Sequence, residues 1–176
     1  MSKQLPTREQ ATKLLQQYNC PPQVINHCLV VTDLALEIAS QLQKKGFKVD
    51  MQLVAAGAML HDLGRSKTHA VDHAVVGAQI TQSIGLPDAV IKIIKRHVGA
   101  GITAEEAKWL GWPNDVYVPQ TLEEKVVAYA DKLIDGSKRI PIEAEIARLQ
   151  SEHKAEAAER VRNLHREITL MLGDSL

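Results

Sequence analysis

The sequence predicts an all-α protein, a helical bundle with a single domain. Apolar residues recur at spacings of three and four, and no stretch alternates with period two, so we expect no strands. Three segments have the pattern of a helix-capping box: Thr7–Gln10, Thr103–Glu106 and Thr121–Glu124. Hydrophobic residues make up 45% of the 176 residues and aromatic residues only 3%. The chain is long enough for one core, which we expect to be mainly aliphatic.

Charge and cysteine usage limit the classes of function. Lys and Arg number 21, as do Asp and Glu, so the formal net charge is zero and gives no sign of binding to long nucleic acids. No stretch is long and apolar enough to span a bilayer, and the N-terminus is not that of a signal peptide. Two cysteines, Cys20 and Cys28, fit reduced thiols. We therefore expect a cytoplasmic protein without membrane contact. The sequence leaves open whether the chain forms homo-oligomers.

Capping boxes, prolines and glycines divide the chain into helices. We expect these helices at residues 7–19, 21–45, 53–60, 72–83, 88–97, 103–109, 121–134 and 142–172, the last with a break near Ser151. We divide the single domain into an N-terminal helix (1–20), a central region with the candidate site (21–140), and a charged C-terminal helix packed on it (141–176).

The central feature is the segment Leu60–Arg65, which reads Leu-His-Asp-Leu-Gly-Arg. The apolar run before it is typical of a buried helix, with Asp50 as its N-cap. That helix brings His61 and Asp62 to its C-terminal end. Because a buried carboxylate is costly without a cation or hydrogen bonds, the pair either binds metal or has a hydrogen-bond network.

Further histidines and a carboxylate lie on apolar faces or at helix ends. The full set is His27, His61, Asp62, His73, His97 and Asp131. Imidazole and carboxylate ligands suit Mn, Fe, Co, Ni or Zn, and Mg is a further candidate. One ion could take His27, His61, Asp62 and Asp131, with Asp62 bridging to a second ion on His73 and His97. Taken singly, each of these residues is more often a satisfied polar group of the core.

Candidate substrate contacts follow the His-Asp pair directly. Arg65 and Lys67 could neutralise phosphate oxygens, and His69 could be a general acid or a substrate contact. We expect Arg96 and Lys132 to be solvated or paired. We expect His153 and His165, on the charged C-terminal helix, at the surface.

The loops around the site are the expected walls of a pocket. We expect these walls at residues 64–70, 98–103 and 111–120. In the last loop, Trp112 and Tyr117 either stack on a base or cover the core.

The ordered motif resembles the HD-domain metal-dependent phosphohydrolases over roughly residues 21–140. His61-Asp62-Leu63-Gly64 is close to the His-Asp-Ile-Gly form of a large subgroup. The segments 72–78, 95–97 and 129–132 resemble the two later histidine motifs and the final aspartate motif. The resemblance implies an all-helical fold, with His27, His61, Asp62 and Asp131 as ligands of a first metal and His73 and His97 as ligands of a second.

The dinuclear branch resembles bacterial diadenosine tetraphosphate hydrolases and, more distantly, HD-GYP phosphodiesterases, whose Gly-Tyr-Pro element this chain lacks. Small archaeal and bacterial HD proteins are also similar. The expected function is hydrolysis of a nucleotide or related small phosphoester by metal-activated water, with His61, Asp62, Arg65, Lys67 and His69 in the catalytic centre. The alternatives are a di-iron oxygenase, a non-catalytic nucleotide-binding module, and a hydrolase of short nucleic-acid ends.

Overall fold

The computed structural model describes residues 4–173, which fold as the predicted helical bundle. Its α-helices are α1 (Arg8–Gln17), α2 (Pro22–Lys44), α3 (Met51–Leu60), α4 (His73–Ser83), α5 (Asp88–Arg96), α6 (Ala104–Trp109), α7 (Leu122–Lys132), α8 (Ile142–Ser151) and α9 (Ala155–Leu172). Short 3₁₀ turns cover Leu63–Ser66 and Val98–Ala100. All three capping boxes form, and Asp50 caps α3.

The prediction of no strands is wrong in one place. Two strands, β1 (Ile134–Asp135) and β2 (Lys138–Arg139), pair antiparallel as a hairpin. At two residues each, they are too short to show a period of two.

Helix α3 lies at the centre of the bundle. It packs against α1, α2, α5 and α7, and nearly its whole circumference is buried, which accounts for its uninterrupted apolar sequence. Gly57 lets α5 approach closely, since a β-carbon there would lie 2.5 Å from the Ile93 side chain. The central helix therefore carries His61 and Asp62 into the interior rather than to the surface.

The C-terminal helices belong to the same core. Helix α9 buries Val161, Leu164 and Ile168 in a cluster shared with α2 and α7. The break near Ser151 is confirmed, because α8 ends there and α9 begins at Ala155. Within residues 4–173, the helices are too short or too polar to cross a membrane.

Candidate metal centre

Four imidazole rings are oriented by hydrogen bonds to backbone carbonyls. In His61, His73 and His97, Nδ1 lies 2.7 Å from a carbonyl oxygen three residues earlier. His27 Nδ1 lies 2.8 Å from the carbonyl oxygen of Gly136, in the turn between β1 and β2. Because Nδ1 can serve a carbonyl only as a donor, the neutral rings present the Nε2 lone pair to the interior.

The four Nε2 atoms converge on Asp62. Its Oδ1 lies 3.1 Å from His73 and 3.5 Å from His97. Its Oδ2 lies 3.8 Å from His61 and 4.0 Å from His27. One carboxylate thus faces two pairs of histidines, one pair on each oxygen.

Asp131, from α7, completes the pair formed by His27 and His61. Its Oδ1 lies 3.0 Å from His27 Nε2 and 3.5 Å from His61 Nε2. The structure therefore brings all six predicted ligands together, although they come from α2, α4, α7 and the ends of α3 and α5.

The donor set fits divalent cations. His61 Nε2 and Asp62 Oδ1 are buried and have no hydrogen-bond partner among the described residues. Nε2 of His73 lies only 3.2 Å from Nε2 of His97, so in the neutral rings two lone pairs face each other. Two groups of three, His27–His61–Asp131 and His61–Asp62–His97, have ligand atoms within 4.8 Å of one another. A divalent cation would satisfy these buried acceptors, which in the neutral rings face only other acceptors.

The pKa shifts of the candidate ligands arise from their burial and from the charges they place next to one another. Burial lowers the pKa of His97 to about 4, which keeps this ring neutral. Burial also opposes charge on His61, but the Asp62 carboxylate outweighs it and holds the His61 pKa well above its usual value. Burial would raise the pKa values of Asp62 and Asp131, but His61 and Lys132 respectively hold them well below the usual range. The interior therefore favours two carboxylates and attracts positive charge.

Two cations already contact these carboxylates. Arg65 Nε donates to Asp62 Oδ2 at 2.7 Å, and Lys132 Nζ lies 2.9 Å from Asp131 Oδ2. Lys132 is paired, as expected, and the Asp131 carboxylate raises its pKa against the effect of burial. Arg96 is also paired, through a buried contact of 3.0 Å with both oxygens of Glu124.

Two cavities meet at the cluster. The larger, of about 880 Å³, reaches His73 and His97, and the smaller, of about 570 Å³, reaches His27 and Asp62. Their shared lining residues are Arg65, His69, Asp131, Lys132, Glu145 and Arg148. The candidate ligands thus lie in a cleft with an arm on each side.

The structure places some predicted contacts elsewhere. Lys67 is exposed and lines neither cavity, whereas exposed His69 lines both. The prediction that residues 111–120 form a pocket wall is wrong: Trp112 packs on buried Tyr117 with ring centroids 4.9 Å apart. His165 is not a simple surface residue, because its Nδ1 lies 2.7 Å from the hydroxyl of buried Tyr129.

Sequence reasoning missed the wall contributed by α8 and α9. Glu145 is buried and forms two hydrogen bonds with Arg148, of 2.8 and 2.9 Å. A signal was present, since Glu145 lies at helical spacing between Ile142 and Leu149 on the buried face of α8. His153, predicted at the surface, is exposed but lies at the rim of the larger cavity.

Comparisons with known proteins agree with this architecture. A family model described as HD domain matches residues 24–135. An uncharacterized protein of Methanocaldococcus jannaschii is 46% identical over 142 residues, which cover 81% of this chain and 83% of the relative. A tRNA (cytidine(56)-2'-O)-methyltransferase of Thermoplasma volcanium is 40% identical over 172 residues. That match covers 98% of this chain but only 49% of the methyltransferase, so the chain spans about half of that protein's length.

Among solved structures, the HD domain of the L. monocytogenes phosphodiesterase PgpH in complex with cyclic-di-AMP has a similar fold. The TM-score is 0.57 and the identity 17%, and the match covers 94% of this chain and 98% of that domain.

Proposed function

This chain belongs to the HD domain family, and from that premise we propose that it is a divalent-metal-dependent phosphohydrolase acting on a nucleotide or related small phosphodiester. The observation that carries the proposal is the set of buried acceptors around Asp62. Hydrogen bonds from Nδ1 to backbone carbonyls turn four imidazole Nε2 atoms toward two carboxylates.

The ligand sets follow from which oxygen each histidine faces. His27, His61, Asp131 and Asp62 Oδ2 would hold one ion, and His73, His97 and Asp62 Oδ1 the other. When bound, such ions polarise phosphoryl oxygens and acidify water.

The chain's own cations bind and orient the phosphate. Arg65 lines both cavities. Its Nε donates a short hydrogen bond to Asp62, and one Nη donates a longer one, of 3.3 Å, to the His69 carbonyl. Its remaining N–H groups are donors for non-bridging phosphate oxygens. Lys132 adds a second positive charge beside the other carboxylate.

The shape of the cleft supports a diester rather than a monoester. A phosphorus atom at the cluster has one cavity on each side, and each cavity can take one of the two ester arms. His69 lines both cavities, where its imidazole can donate a proton to the departing alcohol oxygen. The PgpH domain, which was crystallised with a cyclic dinucleotide, shares this fold.

A metal-supplemented screen tests the proposal. Purified protein reconstituted with Mn, Fe, Co, Ni, Zn or Mg should take up as many as two ions per chain and hydrolyse at least one of three classes: cyclic nucleotides, dinucleoside polyphosphates and aryl phosphodiesters. Reconstituted protein without bound metal would refute the site. Oxygen consumption by the iron form without hydrolysis would favour the oxygenase alternative.

A further inference from the structure

Several apolar residues line the larger cavity besides the candidate metal ligands. Trp109, at the end of α6, lines it with Val71, Ile102 and Leu110. Trp109 is 87% exposed, the largest value among the exposed large hydrophobic residues of the described chain. A tryptophan left in water at the mouth of a cavity is unusual for a residue that is highly buried on average.

Trp109 lies at the end of a short helix that is capped at its N-terminus and paired with α9 by one hydrogen bond. Glu106 completes the capping box with Thr103 and accepts a hydrogen bond of 2.9 Å from Arg160 of α9. The chain's other tryptophan, Trp112, packs against Tyr117 and is not available in the same way. The indole of Trp109 is therefore an exposed flat surface on a capped helix.

The larger cavity also has charged lining residues. They come from α8, α9 and the turn between them: the cations Arg148, Lys154 and Arg160 and the acids Glu145 and Glu156. A ligand in this cavity can therefore contact the indole and cationic groups at the same time. The same cavity continues to His73 and His97, so the ligand can reach the cluster without leaving it.

We propose that Trp109 is a stacking platform for the nucleobase of the substrate, with Val71, Ile102 and Leu110 completing an apolar subsite for the base. This inference rests on the proposed function and specifies one arm of the diester as a nucleoside. A volume of about 880 Å³ is in the range of small-molecule sites. Stacking on an indole also tolerates any base, since every base has a π-face.

Fluorescence tests the subsite without requiring activity. In a Trp112→Phe background Trp109 is the only tryptophan, because the chain has two. Adenosine 5′-monophosphate should quench its emission saturably, whereas ribose 5-phosphate should not. Equal quenching by both compounds, or no quenching by the nucleotide at millimolar concentration, would overturn the inference.

Kinetics give a second test, with thymidine 5′-(p-nitrophenyl phosphate) as the probe. Trp109→Ala should raise KM by about 5- to 150-fold, the value of one stacked base, with little change in kcat. Trp109→Phe should restore most of the loss and Trp109→Leu should not. Leu170→Ala is the matched control, since Leu170 is 62% exposed and lines neither cavity.

The outcomes separate the two proposals. An unchanged KM in Trp109→Ala, with hydrolysis intact, would overturn the inference and leave the proposed function standing. Quenching by the nucleotide in a protein that hydrolyses no phosphoester would support the subsite and refute the proposed function. If Trp109→Ala changed only the oligomeric state on size-exclusion chromatography, Trp109 would be a contact between copies of the chain, and the inference would be wrong.

Discussion

The candidate metal centre and the wall formed by α8 and α9 are two parts of one cleft, built in different ways. In the cluster, each histidine is oriented by a backbone carbonyl within the region that matches the HD domain family, and His61, His73 and His97 are buried. The wall lies beyond that region, and Arg148 is 52% exposed and pairs with Glu145 and Glu152. Buried hydrogen bonds to the backbone keep atoms in place, whereas an ion pair with one exposed partner, such as Arg148, contributes little to stability and can rearrange. The difference suggests fixed chemistry on one side and adjustable recognition on the other.

The most severe test of this comparison is Asp62→Ala. Because each Asp62 oxygen faces one histidine pair, the variant should lose both ions and at least about 1,000-fold in hydrolysis, equivalent to several kcal/mol of transition-state stabilisation. Elemental analysis and steady-state rates measure both effects. Asp33→Ala, at an exposed aspartate paired with Arg8, is the control. A variant that kept two ions would exclude Asp62 as a bridging ligand.

His73→Ala and His97→Ala should each remove one of the two ions and leave the other bound. Both face Asp62 Oδ1, so either change should empty one ion position and leave the set of His27, His61 and Asp131 loaded. The metal content should fall from two ions to one, as read by mass spectrometry of the metals. Loss of both ions in these variants, as in His61→Ala, would show a single coupled site.

Arg65→Ala should have a smaller effect, confined to the substrate. The lost guanidinium should lower kcat/KM by roughly 10- to 100-fold, the value of one or two charge-assisted hydrogen bonds at about 1.5–3 kcal/mol each. Metal content should not change, because a guanidinium does not coordinate cations. Full activity on every cleaved phosphoester would shift phosphate binding to the other side of the cleft, toward Arg148.

The smallest effects are expected from Lys67→Ala and His153→Ala. Both residues are exposed; Lys67 lines neither cavity and His153 lies at the outer rim of one. Their kcat/KM values should stay within about twofold of the parent, as is usual for surface substitutions. A tenfold loss of kcat/KM in Lys67→Ala would show that this lysine contributes to the reaction after all.

Local signals explain why most of the fold could be predicted from sequence. Thr103 and Glu106 cap α6 by contacts three residues apart, and Gly85 lies just beyond α4, so both boundaries are visible in the chain itself. The approach of His27 to Asp131 is long-range, and spacing on an apolar face indicated only that both point inward. Their meeting depends on how α2 packs on α7.

The aromatic residues show where this reasoning fails. Two roles were open for Trp112 and Tyr117, stacking on a base or covering the core; they pack on each other, and Trp109, which was not considered, is the residue left in water. Nothing in the spacing of these residues sets which of two tryptophans three positions apart faces the cavity. The choice depends on long-range contacts of α6, such as the hydrogen bond from Arg160 of α9 to Glu106.

The close contact between Gly64 and α4 has a mechanical consequence. A β-carbon on Gly64 would lie 1.9 Å from the carbonyl oxygen of His73 and 2.7 Å from the Gly77 nitrogen, so backbone touches backbone there. Without side chains between them to reorient, the turn after Asp62 and the start of α4 form a stiff joint. The gap between Asp62 and His73 therefore resists widening, and we expect the proposed hydrolase to admit a bulky substrate through the wall formed by α8 and α9, where ion pairs can exchange partners.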